Sequence, residues 1–204
     1  MKILAFVDLH GNMPALERIE RKAANADIVV VPGDLSTFER GLERIIQRLD
    51  RLKKTVLVLP GNHESEHILR MICRLHKNTK YLEGGYHYEN GCLFIGNSGN
   101  GFAFRDKRFE ETAKKIEGKI QSKLKENPKV ILLTHAPPYR TKLDLIGRKH
   151  CGNLSIRQYI ERTKPDIVIC GHFHENEGKE DNIGKTLVVN PGHKGRMLEI
   201  LTKI

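Results

Sequence analysis

The sequence predicts an α/β fold made of two packed β-sheets with helices on their outer faces, and three observations carry that expectation. Short apolar runs alternate with helical periodicity three times before about residue 76, the pattern of parallel strands joined by crossover helices. Over residues 81–97 the period shortens, and Gly84-Gly85 and Asn90-Gly91 supply hairpin turn chemistry. After residue 128 further buried strands and another helix follow, enough for a second sheet.

Residues 2–7 are apolar after Lys2 and form the first expected strand, which the polar turn Asp8-Leu9-His10-Gly11-Asn12 ends. Pro14 suits the first turn of a helix, and Leu16, Ile19 and Ala23 recur at helical spacing. Residues 27–31 make a second strand, broken by Pro32-Gly33-Asp34. Ser36 is the expected cap of the next helix, whose Leu42, Ile45, Ile46 and Leu49 share one face. Residues 55–59 are a third strand, and Gly61-Asn62-His63-Glu64 follows it before a helix that opens near Ser65 and runs through Ile68, Leu69, Ile72 and Leu75.

In the second half, residues 92–95 read as a strand and residues 107–126 as a charged helix that Pro128 ends. Residues 129–133 are a buried strand leading into Thr134-His135-Ala136-Pro137-Pro138. Residues 139–152 lack periodicity and are basic, so they read as a loop long enough to suspect a function. A helix over 154–162 leads to the strand 166–170, which stops at Gly171-His172-Phe173-His174. Strands 186–189 and 197–201 are joined by Asn190-Pro191-Gly192. No repeat or linker interrupts the 204 residues, which predicts a single domain.

A hydrophobic share of 39% with 29% charged residues fits a soluble globular protein. No apolar run approaches the roughly 20 residues of a membrane span. Met1-Lys2 leads directly into a strand that ends at Asp8, too short for a secretory leader, so a cytoplasmic location is expected. The cysteines, Cys73, Cys92, Cys151 and Cys170, are far apart and form no Cys-x-x-Cys pair; three sit in apolar or Gly-containing segments as small hydrophobes. The net charge of +10 favours anionic partners. Lysines and arginines nevertheless alternate with glutamates over residues 41–54 and 105–126, the mixture of solvated helix faces, so nucleic acid is not the favoured partner.

What sits just past each core strand is chemically uniform: Asp8 and His10, Asp34, Asn62 and His63, His135, then His172 and His174. Each alone has a structural explanation as cap, turn residue, core histidine or exposed pair. Together they are nitrogen and oxygen donors gathered at strand ends, where an unpaired buried polar group costs on the order of 1–3 kcal/mol, and metal ions are the natural compensation. In Asp8-x-His10 and His172-x-His174, residues two apart in an extended segment project to one side and can grip one ion.

The ordered set Asp-x-His, Gly-Asp, Gly-Asn-His-Glu, a lone His135 and Gly-His-x-His resembles the calcineurin-like metallophosphoesterase superfamily. It spans residues 8–174, and the flanking sequences around His135 and His172 make the chain most similar to the small Icc-related predicted phosphoesterases. The resemblance implies a four-layer α/β/β/α sandwich of two mixed sheets. It also implies two divalent transition-metal ions, manganese first, with iron, zinc, nickel or cobalt as alternatives. Asp8, His10 and His174 would hold one ion and Asn62, His135 and His172 the other, with Asp34 bridging. His63 would face the substrate phosphate, oriented by Asp34, with Asp34 and His63 as the catalytic pair and Asn62 also touching substrate. Glu64 replaces the commoner Asp and His193 a small hydroxyl residue, both expected to lie off the ligand set.

Two divalent ions, two carboxylates and a bridging hydroxide leave about one positive charge if the histidines and Asn62 bind neutral, a trap for a phosphate ester. Metal coordination lowers the pKa of water from about 15.7 towards 7, which makes a hydroxide nucleophile available. The expected activity is phosphodiester hydrolysis of a small substrate, with phosphomonoesterase or nuclease action as the alternatives. Arg140, Lys142, Arg148, Lys149 and His150 are candidates for a substrate rim, and Asn97, Asn100 and His193 are weaker ones.

Overall fold

The computed structural model describes residues 1–201. Its first half contains β1 (Lys2–Ala5), α1 (Met13–Ala23), β2 (Ile28–Pro32), α2 (Leu42–Asp50), β3 (Val56–Leu59), α3 (Glu66–Arg74), β4 (Thr79–Tyr81), β5 (Gly85–Glu89) and β6 (Cys92–Gly96). Its second half contains α4 (Lys107–Leu124), β7 (Lys129–Leu133), β8 (Leu145–Ile146), β9 (Lys149–His150), α5 (Leu154–Thr163), β10 (Ile167–Ile169), β11 (Glu180–Ile183), β12 (Thr186–Val189) and β13 (Arg196–Glu199). A 3₁₀ turn covers His174–Asn176.

One sheet has the order β13-β1-β2-β3-β4 and the other β11-β12-β10-β7-β6-β5. Both are mixed. β1 to β4 run parallel with β13 antiparallel at the edge, and β6, β7, β10 and β12 run parallel between antiparallel β5 and β11. The strands are buried on both faces, which is why they read as unbroken apolar runs. In β2, Val29 and Val31 pack with Leu16, Ile19, Ile45 and Leu69 of the first three helices, while Ile28 and Val30 point the other way. There they meet Phe94, Ile131, Leu133 and Ile169 of the second sheet. That sheet's opposite face, Leu93, Leu132 and Val168, is covered by Phe109 and Ile116 of α4 and by Ile156 and Ile160 of α5. The period-2 alternation of side chains therefore generates the four-layer α/β/β/α sandwich.

Local chemistry explains most boundaries. Asn12, Asp106 and Asn153 cap α1, α4 and α5 by accepting from Ala15, Phe109 and Ile156 backbone N–H groups. The cap expected from Ser36 does not form: α2 starts at Leu42 after left-handed Gly41, and Ser36 is buried, donating to Glu64. β1 stops at Ala5, two residues short of expectation, although Phe6 N–H still bonds the Val30 carbonyl. Residues 139–152 are not simply a loop, since β8 and β9 fold them into a small hairpin. β11 was not expected, because Glu180-Asp181-Asn182 is polar; it is an exposed edge strand held by pairing to β12. Many basic side chains are paired on the surface, as in Arg48–Glu20, Arg157–Glu161 and Arg162–Glu117. Among the described residues no helix is long and apolar enough to cross a membrane.

Candidate metal centre

The carboxyl ends of the parallel strands of both sheets meet at one edge of the sandwich. Beyond β1 and β2 the backbones stay stitched together, with His10 N–H donating to the Asp34 carbonyl and Gly11 N–H to that of Leu35. Gly171 N–H donates to the His135 carbonyl and Val7 N–H to that of Gly192. The strands turn off abruptly: Asp8, His10, Asp34 and His172 all adopt positive φ, between 45° and 75°. Asp and His tolerate this left-handed region better than most residues. Their side chains are thereby swung from the strand direction into a common pocket.

The donors converge. His10 Nε2 and His174 Nε2 are 3.0 Å apart, and Asp8, His10 and His174 offer atoms within 4.8 Å of one another. Asn62 Oδ1 lies 3.0 Å from His135 Nε2 and 2.9 Å from His172 Nδ1. Asp34 Oδ2 stands between the two groups, 3.6 Å from His10 Nε2 and 3.5 Å from His135 Nε2. Its other oxygen accepts the His63 backbone N–H at 3.0 Å. Asp8 shares both neighbourhoods, since Asp8, Asp34 and His135 also cluster within 4.8 Å, and its carboxylate accepts His172 N–H.

These separations suit metal coordination. With donors about 2.0–2.2 Å from an ion, neighbouring ligands of a tetrahedron or octahedron lie about 2.8–3.6 Å apart. His135 Nδ1 is 3.0 Å from the Pro32 carbonyl, which can only accept, so Nδ1 carries the proton and Nε2 turns its lone pair inward when the ring is neutral. Asn62 Oδ1 and the neutral His135 Nε2 thus face each other as electron-rich atoms that a cation satisfies, with His172 Nδ1 2.9 Å from the same amide oxygen. Imidazole, carboxylate and amide donors fit manganese, iron, zinc, nickel or cobalt better than calcium.

The site's electrostatics point the same way. Burial pushes the Asp34 carboxyl up, but the hydrogen bond and charge of His135, the His63 N–H and His10 outweigh it and hold it at about 2. Burial opposes charge on His135, yet Asp34 and Asp8 raise it to about 9. Burial raises Asp8 to about 6. His172 is lowered to about 4 by burial and by the charge of His135, and burial also lowers His10. The carboxylates therefore demand positive charge in their midst.

Residues 1–176 match the family described as calcineurin-like phosphoesterase. The chain belongs to the calcineurin-like phosphoesterase family. Its members are hydrolases that act on phosphate esters with divalent metal ions. An uncharacterized protein of Methanocaldococcus jannaschii is 32% identical across 95% of this chain and 89% of its own length. The fold is shared with TT1561 of Thermus thermophilus, at a TM-score of 0.72 and 19% identity over 95% of this chain and 90% of that one. Phosphopantetheinyl hydrolase of Mycobacterium tuberculosis has the same fold at a TM-score of 0.67 and 15% identity, covering 94% and 88%.

Within this family member, several expected details are corrected. Glu64 touches no candidate ligand atom but has a structural role: it is buried and accepts from the backbone N–H groups of Asp34, Ser36 and Gly61 and from the Ser36 hydroxyl, fastening two turns together. His193 bonds Glu177 at 2.8 Å and lines a hollow of about 330 Å³ with Asp8, His10 and His174. Asp34 positions His63 through its backbone rather than its ring, which packs against His10 and Phe38 at 4.9 and 4.6 Å between centroids. Arg140 and His150 are not brought into the pocket. Arg140 lies over the Tyr139 ring, and His150 is held by buried Asp144 at 2.6 Å. The lining instead includes Phe102, Ile146, Phe173 and Glu175, none of which the sequence singled out. Asn97 is buried and donates to the Phe109 carbonyl, and Asn100 organises the loop before Phe102.

Proposed function

We propose that this protein hydrolyses phosphodiesters of small substrates with two divalent ions. Asp8, His10 and His174 would hold one ion, Asn62, His135 and His172 the other, and Asp34 would bridge them. The observation that carries the proposal is the position of Asp34 Oδ2 between His10 Nε2 and His135 Nε2, with candidate donors on either side and Asp8 close to both. Bound there, divalent ions supply Lewis acidity and a water acidified towards neutrality.

The chain's own residues supply the rest. Glu64 and the paired backbones fix the two turns, so the donors keep their spacing without relying on exposed side chains. His63 lines the pocket, and its ring is fixed by its backbone bond to Asp34 and by packing on His10. It is the proton donor to the departing alkoxide oxygen, the task of a general acid placed beside the leaving group. A diester preference is supported by charge. Among the described residues the pocket lining has no lysine or arginine and adds Glu175, which suits a monoanion better than a dianion.

The test is metal analysis of protein loaded with manganese, paired with hydrolysis of bis-p-nitrophenyl phosphate and p-nitrophenyl phosphate. Two equivalents of metal and at least a tenfold preference for the diester are expected. Asp34→Ala should retain less than one equivalent. One equivalent in the wild type, or preference for the monoester, would overturn the proposal.

A further inference from the structure

Two of the most exposed apolar side chains in the protein, Phe38 at 71% and Phe102 at 79% exposure, stand against the rings of site histidines. Phe38 packs on His63 with centroids 4.6 Å apart, and Phe102 meets His172 edge to face at 4.8 Å. Ile146, at the tip of the β8–β9 hairpin, is 42% exposed and lines the same pocket of about 340 Å³ together with Phe102. Leaving such side chains in water is unfavourable, and with Phe102 and Ile146 lining the pocket and Phe38 seated on its His63 ring they mark a surface that a ligand covers.

Both phenylalanines are held in place by built turns. Phe38 and Glu39 both have positive φ, 49° and 64°, and Arg40 N–H donates to the Thr37 carbonyl, which makes residues 37–40 a type I′ turn. Asn and Gly are the residues that suit its central positions, so a phenylalanine there is maintained against local preference. Phe102 N–H donates to Asn100 Oδ1, Asn100 N–H to Asp106 Oδ2, and the Asn153 amide to the Asn100 carbonyl. A Cβ on Gly101 would lie 2.5 Å from His172 Nε2, so only glycine lets this loop lie on the ring.

Resting on the phosphodiesterase reading above, we propose that Phe38, Phe102 and Ile146 form an apolar rim that selects phosphodiesters carrying a flat aromatic group. The phosphate occupies the histidine-lined pocket, and the aromatic ester group stacks on the rim. Rings favour aromatic over alkyl partners because edge and offset contacts add to buried area. A second phosphate is disfavoured beside Glu175 in a lining without lysine or arginine among the described residues.

Methyl(phenyl)phosphinate and dimethylphosphinate carry the single charge of a phosphodiester, hold no ester bond to hydrolyse, and differ only in what the rim would touch. Their affinities are measured by calorimetry on manganese-loaded wild type, Phe38→Asn, Phe102→Ala and, as a control, Leu75→Ala, an exposed apolar residue of another surface. Wild type and Leu75→Ala should bind methyl(phenyl)phosphinate at least tenfold more tightly than dimethylphosphinate. Each phenylalanine variant should bring the ratio to about threefold or less. Phe38→Asn, which relieves the turn, should melt no lower than wild type. Equal affinities in the wild type, no binding of either monoanion, or an unaltered ratio in both variants would overturn the rim. Hydrolysis of bis-p-nitrophenyl phosphate by the same samples separates the two proposals. A diesterase with no aromatic preference loses only the rim, and a protein with that preference but no diesterase activity loses the reaction.

Discussion

At the scale of single residues, the site is a set of buried charges that tolerate one another only with a cation or proton between them. His63→Ala removes no donor from the two proposed clusters, so it should keep both ions while turnover falls by about 10²–10⁴, the usual size of a general-acid contribution. Loss of an ion in that variant would instead make His63 a ligand with His10 and Asp34, whose atoms lie within 4.8 Å of it. The raised His135 pKa sets a pH dependence. At about 9, against an ordinary 6.5, the ring of the apo protein holds a proton that metal must displace. Metal affinity should therefore climb up to tenfold per pH unit towards pH 9, read by titration at fixed ionic strength. The sign for stability is opposite. The raised pKa stabilises the apo fold fully below pH 6.5, and that contribution is lost as pH rises through 9, so the chelated protein should melt progressively lower over that window.

At the scale of elements, the turns after the strands do the positioning. Gly61 lies so close to Asp34 that a Cβ there would overlap Oδ1, which ties the β2 turn to the β3 turn without an intervening side chain. Gly101 performs the same service for the loop over His172. Gly101→Ala should displace that ring or lift the loop, at about 1–3 kcal/mol in stability and with weaker binding in the His172 half of the centre. Metal stoichiometry and denaturant melts together check it. Element identity was legible where periodicity was strong, as in α2, α4 and β7, whose apolar positions repeat on one face or run unbroken. It was not legible in β8–β9 or β11, where short polar segments pair only because a neighbouring backbone is within reach.

At the scale of the whole molecule, the layer between the sheets sets the spacing of the site, because the donors come from both sheets and meet across it. Phe94, fully buried there among Leu57, Ile131 and Ile169, is its largest side chain in the second sheet. Phe94→Ala should cost about 3–5 kcal/mol. At about 2–4 °C per kcal/mol for a protein of this size, the melting temperature should fall by roughly 6–20 °C. Differential scanning calorimetry with and without manganese measures both that loss and the stabilisation that bound metal adds.

The amino-acid sequence alone determined the α/β class, the strand-end motifs and the candidate donor residues at 8, 10, 34, 62, 135, 172 and 174, because these depend on periodicity and residue chemistry along the chain. Tertiary structure alone decided that Glu64 clamps two turns, that Asp34 stands between two clusters, that Phe102 and Ile146 rather than Arg140 and His150 line the pocket, and that Phe38 packs on its His63 ring. Those facts rest on left-handed turns and on contacts between segments far apart in sequence. Neither leaves a period in the sequence, since each is fixed by where two sheets bring their ends together.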